Sequence, residues 1–246
     1  MALNLRLNPD LDLAAYADEF RARGMVQVQD VFAPDSAAAL TQLLTKQTPW
    51  RVTFIDEGKP VAYAPDGIKQ IGKPAFEEKM RAVAERARAN YGYRYHSYPM
   101  SQAQFQGWDP GHPLHEVTRF LNSETYLDLG RAITGEDRIN KVEAMASLYA
   151  PGDFLTRHTD HGAAGERRAA YVIGMTPEWH PDWGGLLLFY NERKDVMGGY
   201  TPRFNVVTIF STAYEHAVTQ VSSFAGAGRY SIAGWFRDDP AKKVFA

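Results

Sequence analysis

The chain has 246 residues, 27 Lys+Arg against 29 Asp+Glu, a formal net charge of −2 at pH 7 and 45% hydrophobic residues. A chain this long buries a core without covalent staples, and its near-neutral balance gives no electrostatic reason to expect nucleic acid or an anionic membrane as partner. Cysteine is absent, which excludes a disulfide framework, an iron–sulfur cluster and any cysteine-based zinc site.

The first ten residues hold no long apolar run, and no stretch approaches the roughly 20 apolar residues of a membrane span. A cytoplasmic protein without direct nucleic-acid binding is the expectation. Leu11 to Arg23 has helical spacing, with Leu13, Tyr16, Ala17 and Phe20 on one face and Gly24 as the stop. Met25 to Val31 alternates as a strand does. Pro34-Asp35-Ser36 offers a helix start, and that helix runs to about Lys46. Arg51–Ile55 and Val61–Ala64 read as a hairpin around Glu57-Gly58-Lys59. Pro74 to Asn90 is rich in alanine, glutamate and arginine and predicts a helix. Tyr91 to Trp108 is crowded with aromatic residues. Residues 113–122 and 123–134 predict two more helices, with Ser123 as N-cap of the second.

From Ile139 the pattern changes to short strands separated by turn residues: 141–150, 155–160, 167–175, 185–190, 203–211, 216–221 and 229–236. Such spacing suggests a β-sandwich or jelly roll. No linker separates the halves. The expected architecture is α+β in one domain over 1–246. About 1–138 would be helical support and a candidate substrate lid, and about 139–237 a jelly-roll core.

The chemistry concentrates in that core. In His158-Thr159-Asp160 the two outer residues are two apart at the end of an expected strand, so both point to one face. His216 begins another expected strand and could complete the set. Two histidines and one carboxylate on one side of a cation leave coordination positions open, the pattern of non-haem iron(II) oxygenases. His-x-Asp alone recurs by chance. Arg229 adds to it, standing in an otherwise apolar strand, Gly228-Arg-Tyr-Ser-Ile-Ala-Gly-Trp-Phe236. A buried guanidinium needs an anion. By the residues alone, that anion is equally a bound carboxylate or one of the protein's own.

His158-x-Asp160, His216 and Arg229-x-Ser231 resemble, in order and spacing, the prolyl-hydroxylase-type 2-oxoglutarate oxygenases. Tyr149-Ala-Pro-Gly-Asp-Phe154, Trp183-Gly-Gly-Leu-Leu-Leu-Phe-Tyr190 and the strand from Arg229 resemble further segments of that family. Arg167-Arg168, Pro177-Glu178-Trp179 and Gly234-Trp235-Phe236 are similar to the ribosomal-protein prolyl hydroxylases of yeast and animals and their bacterial relatives. The resemblance covers about Lys141 to Arg237.

It implies a double-stranded β-helix, a jelly-roll variant. Fe(II) would be held by His158, Asp160 and His216. The distal carboxylate of 2-oxoglutarate would meet Arg229, with Tyr149, Ser231 and Tyr171 nearby, and Trp235 would wall the site. Dioxygen is the co-reactant, and ascorbate is an accessory reductant of such enzymes. No catalytic residue is implied beyond the metal and cosubstrate contacts. The implied reaction hydroxylates a prolyl residue of a protein, a ribosomal one by the nearest resemblance, at C3 or C4, with release of succinate and CO2. One position departs from the pattern. Many prolyl hydroxylases place a tyrosine on the strand after the metal motif, where this chain has Gly174.

Tyr95 and Tyr98, in the aromatic stretch, are candidates for substrate contact, although alternation there also fits an ordinary strand with one buried face. Three competing functions stay open. A free amino acid or small metabolite could be the substrate. A zinc or manganese cupin would use the triad without 2-oxoglutarate. A sugar- or peptide-binding jelly roll would use neither.

Overall fold

Local chemistry sets where the helices begin and end. Asp12 caps α1 (Leu13–Arg23) by accepting from the Ala15 amide at 3.1 Å. Gly24, at φ 64°, ends it in the left-handed conformation that glycine adopts without strain. Proline opens α2 (Pro34–Lys46) and α3 (Pro65–Ile71), and stands early in α4 (Lys73–Arg86). Three further helices, α5 (Met100–Gln106), α6 (Leu114–Leu121) and α7 (Glu124–Thr134), complete the set. Ser123 stands at the N-cap of α7, but its hydroxyl donates back to the Phe120 carbonyl instead of capping.

The computed structural model describes residues 3–162 and 164–239. Four strands lie in the first half: β1 (Met25–Val28), β2 (Arg51–Asp56), β3 (Lys59–Tyr63) and β4 (Tyr93–Tyr98). The second half holds β5 (Lys141–Tyr149), β6 (Phe154–His158), β7 (Arg167–Met175), β8 (Leu187–Tyr190), β9 (Val196–Tyr200), β10 (Phe204–Phe210), β11 (Glu215–Val218) and β12 (Arg229–Arg237). They form one antiparallel sheet in the order β1-β10-β7-β12-β5-β4-β6-β11-β8-β9, with β2 joining β4 and carrying β3. The sheet curls into the expected jelly-roll core, and the first half contributes strands to it as well as helices. Two short helices, α3 and α5, and one strand, β9, are additions to the elements expected from the sequence.

Strand alternation divides the sheet into two faces. On β12, Tyr230, Ile232 and Phe236 pack on the helix side, while Arg229, Ser231, Ala233 and Trp235 face an internal cavity. On β5, Val142, Ala144 and Ala146 face the helices, while Glu143, Met145, Ser147 and Tyr149 face the cavity. The helix side is the main core, where Leu40, Leu44, Leu121, Tyr126 and Ile133 cover the strands. One wall of the cavity is therefore backed by a dry, packed layer that holds it in shape.

Gly130 of α7 marks how tightly that layer is packed. A Cβ there would lie 2.5 Å from Cε1 of the fully buried Phe236 ring. Alanine in a helix normally gains about 0.5–1 kcal/mol over glycine. Gly130→Ala is expected instead to destabilise by about 1–3 kcal/mol through overpacking, read as a lower midpoint in urea unfolding followed by circular dichroism. An unchanged or raised midpoint would show that Phe236 can yield.

Candidate metal and cosubstrate site

The register of two strands builds the centre of the site. β11 pairs antiparallel with β6 so that His216 lies directly opposite His158. The two imidazole centroids are 4.2 Å apart. Asp160 follows His158 by two residues, and its amide donates to the Thr212 carbonyl at 3.3 Å, which ties it to the turn before β11. His158 Nε2 lies 3.6 Å from Asp160 Oδ1, and His216 Nε2 lies 3.4 Å from Oδ2. One ligand atom from each residue falls within 4.8 Å of the others.

The other ring nitrogens fix the tautomers. His158 Nδ1 donates to the Thr156 carbonyl at 3.0 Å, and His216 Nδ1 donates to the Tyr214 carbonyl at 3.0 Å. A carbonyl only accepts, so each Nδ1 carries a proton and each Nε2 is the nitrogen turned to the centre. Burial, aided by the neighbouring His216, pushes the His158 pKa down and keeps it neutral. Burial opposes ionisation of Asp160, but the two imidazoles outweigh it and hold the carboxyl below its usual range. Two imidazoles and one carboxylate, converging from one side, suit a divalent first-row cation and leave its remaining positions to exogenous ligands.

Arg229 shares the cavity with these three residues, and the cavity's volume is about 750 Å³. Its side chain is buried, and burial pushes its pKa down. Among the described residues no carboxylate pairs with it; its guanidinium lies over the Tyr149 ring, whose centroid is 5.0 Å from Cζ. The protein's own carboxylates therefore do not supply the anion this guanidinium needs. Tyr149 stands opposite Arg229 across β5 and β12, and stacks on Tyr95 at 4.9 Å. Ser231 is two residues along the same face, and its hydroxyl meets that of Ser147 at 2.8 Å. Trp235 continues that face toward the triad. A planar cation with polar neighbours and aromatic walls has the chemistry to receive a carboxylate.

Of the other residues singled out from the sequence, Tyr95 lines the cavity and Tyr98 does not. Tyr98 is fully buried in the helix-side core, where its hydroxyl donates to Asp109 at 2.9 Å. Tyr171 packs in the helix-side core and donates its hydroxyl to the Glu143 carbonyl at 3.1 Å, but it also contributes to the cavity lining. It is not turned toward Arg229. Gly174 lies on the cavity face beside Ser231, but a Cβ there would sit 2.6 Å from the Arg203 carbonyl oxygen. The backbone leading into β10 occupies the space that a tyrosine at this position would need.

Two residues at the cavity were not singled out by sequence reasoning as site residues. Arg167 stacks on Trp235 with Cζ 3.6 Å from the ring centroid, and its Nη1 reaches the Asp160 carbonyl at 3.4 Å. Tyr91 places its ring 5.8 Å from His158. Arg167 opens an expected strand seven residues after Asp160, and Tyr91 precedes the alternating tyrosines; neither carries a spacing signal that marks it alone.

Comparison with known proteins agrees with this geometry. Residues 144–237 match the 2OG-Fe(II) oxygenase superfamily. Prolyl 3-hydroxylase OGFOD1 of Xenopus laevis is 30% identical over 111 residues, covering 42% of this chain and 21% of the relative. The Mus musculus protein of the same name is 29% identical over 111 residues, 42% of this chain and 20% of its own length. The matched segment thus spans about a fifth of these relatives. A Pseudomonas putida prolyl-4-hydroxylase superposes with TM-score 0.57 at 18% identity, over 98% of this chain and 99% of that one. A Trichoplax adhaerens prolyl hydroxylase, solved with a peptide fragment of hypoxia inducible factor, superposes with TM-score 0.58 at 15% identity, over 91% and 88%. Residues 144–237 are thus similar to the 2OG-Fe(II) oxygenase superfamily, and the chain shares its fold with solved prolyl hydroxylases.

Proposed function

We propose that this chain is an Fe(II)- and 2-oxoglutarate-dependent dioxygenase that hydroxylates a prolyl residue of a protein, with release of succinate and CO2. The observation that carries this reading is Arg229: a buried guanidinium without a carboxylate partner among the described residues, in the same cavity as His158, Asp160 and His216. A cupin hydrolase or a simple binding module has no use for it. The prolyl target rests on the names of the related proteins. The cysteine-free composition fits a cytoplasmic setting, and among the described residues no helix is long and apolar enough to cross a membrane.

In this reading His158, Asp160 and His216 hold the iron. When bound, the iron supplies the activation of O2 and the oxidation of both 2-oxoglutarate and the substrate C–H bond. The residues of the chain place the reactants. Arg229 binds the distal carboxylate of 2-oxoglutarate through paired N–H donors, with Tyr149 and Ser231 offering hydroxyls beside it. Phe210 packs edge-on against His216 at 4.8 Å and keeps water from that side of the ligand. Trp235, pinned by Arg167, walls the space next to Asp160. No side chain has to act as a proton-transfer base, and none beyond these contacts is assigned to the chemistry.

Anaerobic titration with Fe(II) and 2-oxoglutarate, followed by oxygen and measurement of succinate, tests the proposal. Wild-type protein is expected to bind both and to form succinate slowly even without its target. His158→Ala is expected to abolish iron binding and turnover. Arg229→Ala is expected to weaken 2-oxoglutarate binding about 10-fold or more, since a charged hydrogen bond contributes roughly 1.5–3 kcal/mol. Unchanged affinity in Arg229→Ala would remove the carboxylate role of that residue.

A further inference from the structure

A second cavity adjoins the first and belongs to none of the groups assigned so far. Its volume is about 720 Å³, close to the 750 Å³ of the site cavity. It runs between the turn that follows α4 and the strands β6 and β11. Ala84, Ala87, Ala217 and Val218 give it apolar walls, and Asn90, Thr156, Thr219 and Gln220 give it polar ones. Tyr91, Leu155, Arg157 and Val218 line both cavities. Tyr91 is the post between them. It is 51% exposed, and its ring lies 5.8 Å from His158.

The charge in this groove has one sign. Arg88 and Arg157 line it, and no carboxylate does. Arg157 pairs with Glu215 at 3.0 Å, but Glu215 also takes Lys194 at 2.9 Å. Two cations share one anion, so the trio keeps an excess positive charge. Arg88 meets Glu85 at 3.1 Å in an exposed pair that water screens, and Glu85 does not line the groove. The inner cavity alone would accommodate an amino acid or small metabolite. A second volume of similar size, sharing Tyr91, Leu155, Arg157 and Val218 with it and carrying amide-binding groups, suits a longer substrate.

Resting on the oxygenase reading above, we infer that the target is a polypeptide whose chain leaves the site past Tyr91 into this groove, where Arg88 and Arg157 select acidic residues flanking the target. Tyr91 acts as a positioning residue: its ring turns the chain at the boundary and keeps bulk water from His158. The occupant is an extended acidic segment of a protein, bound by charge complementarity and by continuity with the site.

Three fluorescein-labelled 20-residue peptides test this, each with one central proline flanked by aspartates, serines or lysines. Binding is read by anisotropy at low ionic strength with the full chain held anaerobically with Fe(II) and 2-oxoglutarate. Wild-type protein is expected to bind the aspartate peptide at least about 5-fold more tightly than the lysine peptide, the scale of two partly screened ion pairs. The double variant Arg88→Glu/Arg157→Glu is expected to reverse that order while keeping the circular dichroism spectrum of the wild type. Arg88→Gln, which leaves the Arg157–Glu215–Lys194 trio intact, is expected to lower the preference without reversing it. Equal affinity for the three peptides, no measurable binding of any, or an acidic preference that survives charge reversal would overturn the inference. Failure of the wild type to bind 2-oxoglutarate would instead defeat the oxygenase reading, whatever the peptides do.

Discussion

The pairing of His158 with His216 across β6 and β11 is the constraint on which the site depends. Strand side chains alternate, so a slip of one residue would turn one imidazole out of the cavity. The flanking packing opposes such a slip. Val218 and Leu155 pair farther along the same two strands, and β11 is held on its other side by β8 through four residue pairs from Glu215↔Tyr190 to Val218↔Leu187. Phe189 and Phe210 then pack against His216. The ligand geometry is thus a property of sheet register, and the Nδ1 bonds to Thr156 and Tyr214 are backbone contacts that the same strands supply.

Arg229 poses the opposite problem. Its place is costly, because a buried cation without a fixed anion is desolvated and uncompensated. The fold tolerates it by packing the stem closely. A Cβ on Gly185 would lie 3.4 Å from Arg229 Cδ and 3.0 Å from the Trp179 ring, and Gly185 itself has φ 64°. Gly184 beside it has φ 68° and bridges to Val221. The Trp-Gly-Gly segment is therefore where backbone crosses close over the arginine stem and the end of β11. A side chain at either glycine would meet both a strained backbone and occupied space.

How much of this was legible in the sequence follows from what each signal measures. The strands of the second half stand out because their alternation is strong, and the triad stands out because a two-residue spacing on a strand fixes a shared face. Arg229 stands out because a charge in an apolar strand needs a reason. Tyr98 misled for a simple cause. Aromatic type says that a residue is buried, but strand parity decides on which side of the sheet, and a single displaced strand end reverses that choice. The strand β9 was missed because Val196-Met-Gly-Gly-Tyr200 lies at a sheet edge, exposed on both faces, with no alternation to read. Arg167 and Tyr91 were beyond reach because their roles come from what stacks on them across the cavity.

Gly174 shows why the departure from the tyrosine pattern is not a defect. The Arg203 carbonyl occupies the place of a larger side chain there, so the space beside Ser231 is closed on that side by backbone. The hydroxyls beside Arg229 then come from β5 and β12, from Tyr149 and Ser231, both set by the long register that pairs Arg229 with Tyr149 and Ser231 with Ser147. The guanidinium and its neighbours thus move together with one strand pair, whose even-numbered residues are locked into the helix-side core through Ile232 and Phe236. An anion at Arg229 relieves the desolvated charge, and in doing so it favours the folded arrangement of the two strands that also carry the Trp235 wall of the iron site.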